Sequence, residues 1–291
     1  MRIQRLRTRT RIIVFFVALL ALVQLAGFAL VNDANSRNAH AKVEEEFDVG
    51  ERLFARVLSQ NSEKLTQAAR VLAADFAFRE AVATRDLGTI GSALSNHGAR
   101  IGAGAMLFVA LDGAVIADTV QPTNVPRTFE YAELLKADSA TGPAHGAIKQ
   151  LAGRPFQLVA VPVRAPLTIG WVVVGLPVDN GFALELQKLT SLGVSFMLQD
   201  RADGWHTLAT TLSNPESHEV VAQMPPDFAD TTVPKLVKIA SADYQVRAIP
   251  LSIEHHRRIV AVLHRSLTHA LAAFDRLRQT LIALAIASRV F

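Results

Sequence analysis

The 291-residue sequence contains no cysteine. This absence excludes disulfide scaffolds, thiolate zinc sites and thiol catalysis, but it does not fix the compartment, because many exported proteins do without disulfides. The G-x-x-x-x-G-K-[ST], H-E-x-x-H and G-x-S-x-G patterns of phosphate-binding loops, zinc proteases and α/β-hydrolases are also missing. We therefore expect no catalytic residues, no metal and no cofactor, and predict that the chain is not an enzyme.

Basic charge is missing from the body of the chain, although the net charge is +4. Five arginines without a neighbouring acid stand in the first eleven residues, and removing them leaves 25 basic and 26 acidic residues. A nucleic-acid-binding protein needs basic charge on its folded surface. We therefore predict no nucleic-acid partner. The five residues are Arg2, Arg5, Arg7, Arg9 and Arg11.

The apolar run from Ile12 to Val31 is interrupted only by Gln24 and Gly27. Twenty residues at helical rise cross the hydrocarbon core of a bilayer. Because the arginines precede the run, the positive-inside rule places residues 1–11 in the cytoplasm. The sequence therefore predicts a single-pass helix over 12–31 that anchors the protein in a membrane, with the body outside the cytoplasm.

The alternative for this segment is a cleaved signal peptide. Ala39-His40-Ala41 matches the small-residue cleavage pattern, but it lies about ten residues beyond the apolar run, and the run is longer than a usual signal-peptide core. We favour the uncleaved anchor. Either interpretation exports the body of the protein.

A long helix is predicted from about Asn35 to Ala83, where there is no proline and Gly50 is the only glycine. Apolar residues recur at three-, four- and seven-residue steps, which is typical of one buried helical stripe. The heptad-like early part could pair with a second protomer as a homodimer, or it could pack on its own domain. The stripe consists of Phe47, Phe54, Leu58, Leu65, Leu72 and Phe76.

After Gly102 the pattern changes to short runs typical of strands, joined by turn residues. Leu111-Asp112-Gly113 indicates a hairpin, and Asp179 or Asn180 is a suitable cap for a helix that ends at Leu189. Further helices are predicted over Phe129–Lys136, over Pro215–Met224 and from about Leu267. The predicted strands are Met106–Ala110, Ala114–Thr119, Phe156–Val163, Ile169–Val178, Val194–Gln199, Thr207–Leu212, Tyr244–Ser252 and Arg258–Arg265.

The sequence repeats itself at an offset of 88 residues. Residues 156–163 align with residues 244–251, with identical glutamine, alanine and proline and mostly apolar pairs elsewhere. Without a gap, Trp171 to Val174 then falls on Ile259 to Val262, and the helices that follow also coincide. The same order of strand, proline, strand and helix indicates two related modules in tandem.

These features resemble the double-Cache sensor domains of bacterial transmembrane signalling proteins, in which a membrane helix and a long helix precede two PAS-like modules. The resemblance spans about residues 12–280 and implies an α+β fold with antiparallel sheets. It is similar to the type that precedes HAMP, GGDEF and EAL modules in cyclic-di-GMP proteins. The segments that carry it are residues 75–82, residues 96–103, Val161-Pro162-Val163-Arg164-Ala165-Pro166 and Ile169-Gly170-Trp171.

The resemblance implies a division of the exported body. Residues 35–190 are expected to hold the long helix and the membrane-distal module, and residues 191–267 the membrane-proximal module. Residues 268–291 are expected to form a C-terminal helix that begins a truncated second membrane helix, because its apolar run covers only Leu281 to Ala287. No output domain is expected in this chain, which could be a fragment or a frameshifted copy.

Four residues are candidates for ligand binding. Arg100 could clamp a carboxylate, and His97 precedes it by three residues, so the two would share a face of a continued helix. Trp171 could form a platform in a strand, and His145 could reach a pocket from a loop. Two of them have a structural alternative: Arg100 could form a stabilising ion pair, and Trp171 could be a core residue. His255-His256 is a weak metal pair, because adjacent residues of a strand point apart.

The sequence thus predicts a receptor that senses a small molecule outside the cytoplasm and transmits the signal through the long helix. The ligand would bind the first module, between its sheet and the covering loops. Two alternatives remain. The first is an exported, membrane-anchored protein that binds a partner instead of a ligand, and the second is an exported hydrolase without a recognised motif.

Overall fold

The computed structural model describes residues 2–136, 146–200, 204–230, 233–240, 242–254 and 257–267. The helices in this part of the chain are α1 Arg2–Ala74, α2 Phe76–Thr84, α3 Leu87–Ile101, α4 Ala132–Lys136, α5 Asn180–Thr190 and α6 Asn214–Gln223, followed by a short 3-10 turn at Phe228–Asp230. The strands are β1 Ala105–Ala110, β2 Ala114–Asp118, β3 Arg127–Thr128, β4 Ala147–Leu151, β5 Arg154–Arg164, β6 Thr168–Pro177, β7 Gly193–Asp200, β8 Gly204–Thr210, β9 Lys235–Ile239, β10 Ala242–Glu254 and β11 Arg257–Ser266.

The predicted membrane segment, residues 12–31, forms part of α1. Across the described residues, no helix combines the length and apolarity that a membrane span requires. The anchor therefore stays a prediction. The predicted C-terminal helix beyond Leu267 and the pair His255-His256 lie outside the described residues.

Helix α1 ends earlier than the sequence predicts. Asp75 has extended backbone angles, and its Oδ1 accepts a hydrogen bond from the Phe78 amide at 2.8 Å, which caps α2. The predicted single helix up to Ala83 is thus two helices. Phe76 is 73% exposed, so its predicted place on the buried stripe is wrong, because the break at Asp75 interrupts the helical periodicity.

Helix α1 is shared by two modules. Leu65 and Leu72 pack into the core of the first module, which contains β1–β6, whereas Phe47 and Leu58 pack into the core of the second, which contains β7–β11. These residues follow the predicted apolar stripe of α1. A helix that the sequence assigned to the first module therefore contributes to both cores.

Gly50 explains how α1 comes close to the second module. A Cβ atom at this position would lie 2.5 Å from Cδ1 of Leu192, the residue before β7. Glycine normally weakens a helix interior by about 1 kcal/mol relative to alanine. Here the missing side chain allows the helix backbone to approach Leu192 directly.

The two sheets have the same strand order. The first sheet runs β3-β2-β1-β6-β5-β4 and the second β8-β7-β11-β10-β9, and all neighbouring pairs are antiparallel. Without the short edge strand β3, the orders are equivalent. Strands β1 and β7, β4 and β9, and β5 and β10 each begin 88 residues apart. The repeat of residues 156–163 at 244–251 is thus a repeat of structure. Strands β6 and β11 begin 89 residues apart, and Trp171 holds the register place of Val260, so the ungapped match of Trp171 with Ile259 is wrong by one residue.

A paired threonine contact also repeats in both modules. The Met106 amide donates to Oγ1 of Thr119 at 2.9 Å, and the Val194 amide donates to Oγ1 of Thr211 at 3.0 Å. In each case the threonine amide donates in return to the carbonyl of the same residue, at 3.0 Å. This reciprocal pair ties the start of the first strand of each module to the end of its second strand.

Each sheet has two covered faces. In the first module the inner face packs on α1, α2 and α3, and the outer face on α4 and the loops beside β3. In the second module the inner face packs on α1 and α5, and the outer face on α6 and the 3-10 turn. Successive side chains of a strand point to opposite faces, so β5 and β10 bury residues on both sides, among them the polar Gln157, Gln245 and Arg247.

Most predicted elements are present, and their differences from the prediction are local. The β1–β2 turn forms as expected, with Gly113 at φ +83° and Asp112 Oδ1 accepting from the Ala114 amide at 2.9 Å. Asp179 caps α5 through the Phe182 amide. Strands β3, β4 and β9 were not predicted, and α4 is three residues shorter at its start than the helix predicted over residues 129–136.

Candidate functional site

The outer face of the first sheet has an apolar floor made by three strands, β1, β5 and β6. The pairing register places Trp171 of β6 between Val109 of β1 and Pro162 of β5. The next row places Val173 between Leu107 and Ala160. We call this surface the first outer face. It consists of Leu107, Val109, Leu158, Ala160, Pro162, Trp171 and Val173, with Phe156 and Gly175 at its lower end.

The lower end of the first outer face is closed by close packing. Phe156 and Leu158 are fully buried. A Cβ atom at Gly175 would lie 2.9 Å from Leu158 Cδ2 and 3.0 Å from Ala105 Cβ, so no free space remains there. Phe129, Tyr131 and Leu134 complete this packing from the covering segment. A ligand therefore has no room at this end.

The upper end is more open. Ala160, Pro162 and Trp171 are only half-buried, although Val109 and Val173 beneath and beside them are fully buried. An indole that stands half-covered on an apolar floor offers a flat contact surface of the kind that ligand sites use. This end is where the face can accept a small molecule.

One edge of the first outer face carries a buried ion pair. The Asp118 side chain is 1% exposed and pairs with Arg127 Nη2 at 2.5 Å. Its Oδ1 accepts from the Val120 amide at 2.6 Å, and Arg127 Nη1 donates to the Asn124 carbonyl at 3.0 Å. These bonds satisfy the buried carboxylate and hold the loop between β2 and β3 against the sheet.

The opposite edge carries a buried lysine. Lys149 of β4 lies 3.1 Å from the Glu133 carboxylate, and its ammonium stands 5.2 Å from the centre of the Tyr131 ring. Tyr131 in turn donates its hydroxyl proton to the Gln150 carbonyl at 2.5 Å. The first outer face thus has an apolar floor with a paired cation at each edge. Lys149 pairs with Phe156 across the strands, so its contacts lie at the closed lower end and hold the cover there.

The structure does not bring the four predicted site residues together. Trp171 lies on the first outer face. His97 lies on the other side of the sheet, where its Nε2 is 2.8 Å from the Ala68 carbonyl of α1, and it is buried in the helix packing. Arg100 is exposed near the end of α3. His145 lies outside the described residues.

His97 and Arg100 differ in exposure because three residues turn a helix by 300°. His97 therefore lies on the buried side of α3, and Arg100 lies just beyond the edge of that side, in solvent. The packing next to His97 is tight, since a Cβ atom at Gly98 would lie 2.8 Å from Met106 Cγ. The position of His97 thus agrees with a structural contact between α1 and α3.

Asp118, Arg127, Tyr131 and Lys149 were not among the predicted site residues. A sequence signal existed for Tyr131, which is one of only two tyrosines. The burial of Lys149 could not be predicted from the sequence. Strand β4 is five residues long and has two adjacent buried residues, so it shows no alternation of apolar and polar residues. The Asp118–Arg127 pair spans nine residues through a loop, and no local periodicity reports such a contact.

The outer face of the second sheet, the second outer face, is closed and contains a polar cluster. Ser195 Oγ lies 2.6 Å from Thr210 Oγ1 and 3.3 Å from His264 Nε2. Burial lowers the pKa of His264 to about 4, although the Glu216 carboxylate opposes this shift. Burial, followed by the charge of Glu216, raises the pKa of Tyr244.

The contact between Ser195 and His264 bears on the hydrolase alternative. Both residues are buried, at 3% and 5% exposure. A serine nucleophile needs an open site and a base whose pKa is near the working pH. The imidazole of His264 is a weak base and has no access to substrate. This cluster is therefore unsuited to hydrolysis.

A family match identifies the type of domain that this chain contains. Residues 40–281 match dCache_3, described as the double sensory domain of two-component sensor kinases. The comparison with curated proteins gives no match. The sensor domain of the Vibrio cholerae histidine kinase DctB is 13% identical with a TM-score of 0.44, and the match covers 76% of this chain and 95% of that domain.

Two further solved structures are similar. The ligand-binding domain of the Campylobacter jejuni chemoreceptor Tlp3, in complex with 4-methylisoleucine, is 12% identical with a TM-score of 0.41, over 78% of this chain and 90% of that one. The periplasmic domain of Vibrio cholerae LuxQ is 12% identical with a TM-score of 0.49, over 75% and 98%. The family match, which covers most of the chain, confirms the predicted resemblance. The chain belongs to the dCache_3 family of double sensory domains.

Proposed function

We propose that this protein is the extracytoplasmic sensing part of a membrane-bound bacterial receptor, and that it binds a small molecule on the upper end of the first outer face. The observation that supports this site is the half-buried Trp171. It lies at the upper end of the first outer face, next to the fully buried Val109 and Val173. The ligand would lie across Ala160, Pro162 and Trp171. His145 stays a proposed contact for a ligand that extends beyond this floor.

The location follows from the N-terminal segment. Residues 12–31 would form a single anchor in the inner membrane, residues 1–11 would remain in the cytoplasm, and the modules would lie in the periplasm. Fusions of alkaline phosphatase after residue 267 test this topology, because that enzyme requires the oxidising periplasm. Activity of the fusion is expected, whereas an inactive fusion with an active cytoplasmic reporter at the same position would contradict the proposal.

The signal can reach the anchor through the contact between β5 and α1. Gln157 is fully buried, and its Nε2 donates to the Leu58 carbonyl of α1 at 2.6 Å. Ala160, three residues along the same strand, belongs to the proposed ligand floor. A ligand that prefers one position of β5 would therefore shift the equilibrium position of α1.

A thermal-shift screen of the full chain in detergent micelles, with small metabolites, tests the ligand proposal. Binding to the native state raises the midpoint of unfolding. Any active compound is then titrated against the variant Trp171→Phe, which is expected to weaken binding. The matched control Trp205→Phe changes the other tryptophan, in the second module, and is expected to bind as the wild type does.

The second candidate function is partner binding, and exposed apolar residues at the end of the first sheet favour it. Phe76, Leu111 and Leu167 are 73%, 61% and 79% exposed. Leu111 and Leu167 lie in neighbouring turns because Ala110 pairs with Gly170. If no compound of a broad screen shifts the midpoint, partner binding replaces ligand binding as the better proposal.

The dimer and the output are further proposals. Val49 and Val71 are exposed on α1, and this side of the helix could pair with a second protomer. Sedimentation of the micelle-bound chain tests this, since Val49→Glu should shift a dimer toward the monomer.

For the output we propose a cyclic-di-GMP or similar signalling module, on the sequence resemblance alone. GGDEF or EAL motifs in the reading frame downstream would support it, and kinase motifs would contradict it.

A further inference from the structure

The second outer face contains a buried histidine that has no role in the proposed ligand site. His264 of β11 pairs with Gly193 of β7 and Val246 of β10. Its ring lies directly over Gly193, where a side chain would collide with it. We propose that the second module responds to protons, and that protonation of His264 releases the covering segment formed by α6 and the 3-10 turn.

The surroundings of His264 offer little stabilisation for a positive charge. Toward the sheet it contacts the hydroxyl of Ser195, whose other neighbour is Thr210. The Tyr244 ring of β10 stands 6.2 Å away and stays neutral, because burial raises its pKa. The apolar cluster beside it includes Val246 and Val262. A charged imidazolium in such surroundings is costly.

Glu216 of α6 is the carboxylate whose charge acts on His264. Hydrogen bonds from Ser213 lower the pKa of Glu216, so this carboxylate remains charged when the solution becomes mildly acidic. Its attraction is weaker than the burial, since the pKa of His264 still falls to about 4. The closed cover therefore keeps the imidazole neutral.

The direction of the effect follows from linkage. The pKa of His264 is about 4 in the closed module, and 6.5 for a solvent-exposed histidine. The open form therefore binds more protons between these values, so the closed form loses stability as the pH falls from 6.5 toward 4. From this difference, the equilibrium constant for opening the cover should rise about tenfold between pH 7.5 and 5.5.

The covering segment can open while the sheet remains. Much of its attachment is polar and exposed: Gln223 exchanges two hydrogen bonds with the backbone of Lys238, and Glu219 accepts from the Ala240 amide at 2.6 Å. Its buried apolar side chains are three: Val220 of α6, Met224 at the C-cap of α6 and Phe228 of the turn. Segments with few buried apolar contacts open locally below the global unfolding free energy.

Hydrogen exchange of the full chain in detergent micelles, followed by mass spectrometry at pH 7.5 and 5.5, tests the proposal. After correction for the chemical exchange rate, protection of peptides from α6 is expected to fall about tenfold. Peptides from α3 in the first module should change much less. His264→Gln keeps a hydrogen-bonding group without the titration, and it should remove the pH dependence in α6.

Two further variants keep the proposal falsifiable if His264→Gln does not fold. His97→Gln alters the buried histidine of the first module and should leave the response of α6 unchanged. Glu216→Gln retains a side chain suited to the helix cap but removes the attracting charge, so the loss of protection should continue to a lower pH. The proposal is overturned if α6 and α3 lose protection equally, or if His97→Gln abolishes the response.

Discussion

The two modules share a backbone plan but differ in what covers their outer faces. At equivalent places in the register, Leu107 stands beside Asp118 in the first module, and Ser195 beside Thr210 in the second. The first has a half-open apolar floor with charged edges, and the second a closed polar cluster. The threonine pair that ties the first two strands is kept in both. The two modules thus share the contacts that shape the sheet and differ in the residues on their outer faces.

The contacts of α1 differ between the modules in the same way. In the first module the contacts to α1 are hydrogen bonds to its backbone carbonyls. Gln157 donates to the Leu58 carbonyl, and His97 donates to the Ala68 carbonyl in the tautomer that carries its proton on Nε2. In the second, Arg247 pairs with Asp48 and Glu51 of α1. The contact with Arg247 lowers the pKa of Asp48. We therefore expect salt to loosen the second contact more than the first.

The largest effect is expected from truncating the equivalent core aromatics. Phe108 and Phe196 lie 88 residues apart and are both buried. Phe196 contacts the rings of Phe54 and Phe182, whereas Phe108 contacts that of Phe78. Each change to alanine should cost about 3–5 kcal/mol, with Phe196→Ala the more severe.

Urea unfolding followed by limited proteolysis measures this difference. Phe108→Ala should expose sites in the first module, and Phe196→Ala sites in the second. Equal loss of protection in both modules for either variant would mean that they unfold as one unit, and the comparison would then describe two faces of a single cooperative domain.

The next effect concerns a glycine that lies on the first strand of the second module but on β6 in the first module. Gly193 occupies the place of Ala105, and its partner His264 occupies the place of Gly175. Gly193→Ala should destabilise the second module by about 1–3 kcal/mol, because the new methyl meets the imidazole. Combining it with His264→Gly recreates the arrangement of the first module. The double variant should cost less than the sum of the single ones in denaturant titrations, and additivity would contradict the contact.

The smallest effect is expected at the matched helix caps. Asp75 caps α2 in the first module and Asp179 caps α5 beside the second, each through a bond to an amide three residues on. Replacement by alanine should cost about 1 kcal/mol at either place, measured by thermal unfolding. Asn at the same positions is the control and should be nearly neutral, and a large loss in the asparagine variants would show that charge matters more than the cap.

The sequence predicts the fold well where one signal dominates. The valine-rich strands with Pro162 and Pro250, the Asp112-Gly113 turn and the heptad-like stripe of α1 all form as expected. The break at Asp75 was missed because its neighbours continue the apolar pattern, and an aspartate suits either a helix surface or a cap. Strands β4 and β9 were missed because strands of five residues carry few alternations.

The site was less predictable than the fold. Trp171 and His97 were candidates for one site, yet they lie on opposite sides of the first sheet, because helical spacing cannot tell which face of a sheet a helix covers. The Asp118–Arg127 pair forms only once β3 is in place. Such contacts depend on loop geometry and on strand pairing, which a local pattern does not contain.

The sharing of α1 has a consequence for how the chain assembles during synthesis. The second core joins residues 43–58 to residues 182–267, so the first module is inserted within the second. Asp48 and Arg247 meet across 199 residues of sequence. Such distant closure slows folding. The inserted module can complete its core once β6 emerges, whereas residues 43–58 of α1 must wait for β11 to leave the ribosome.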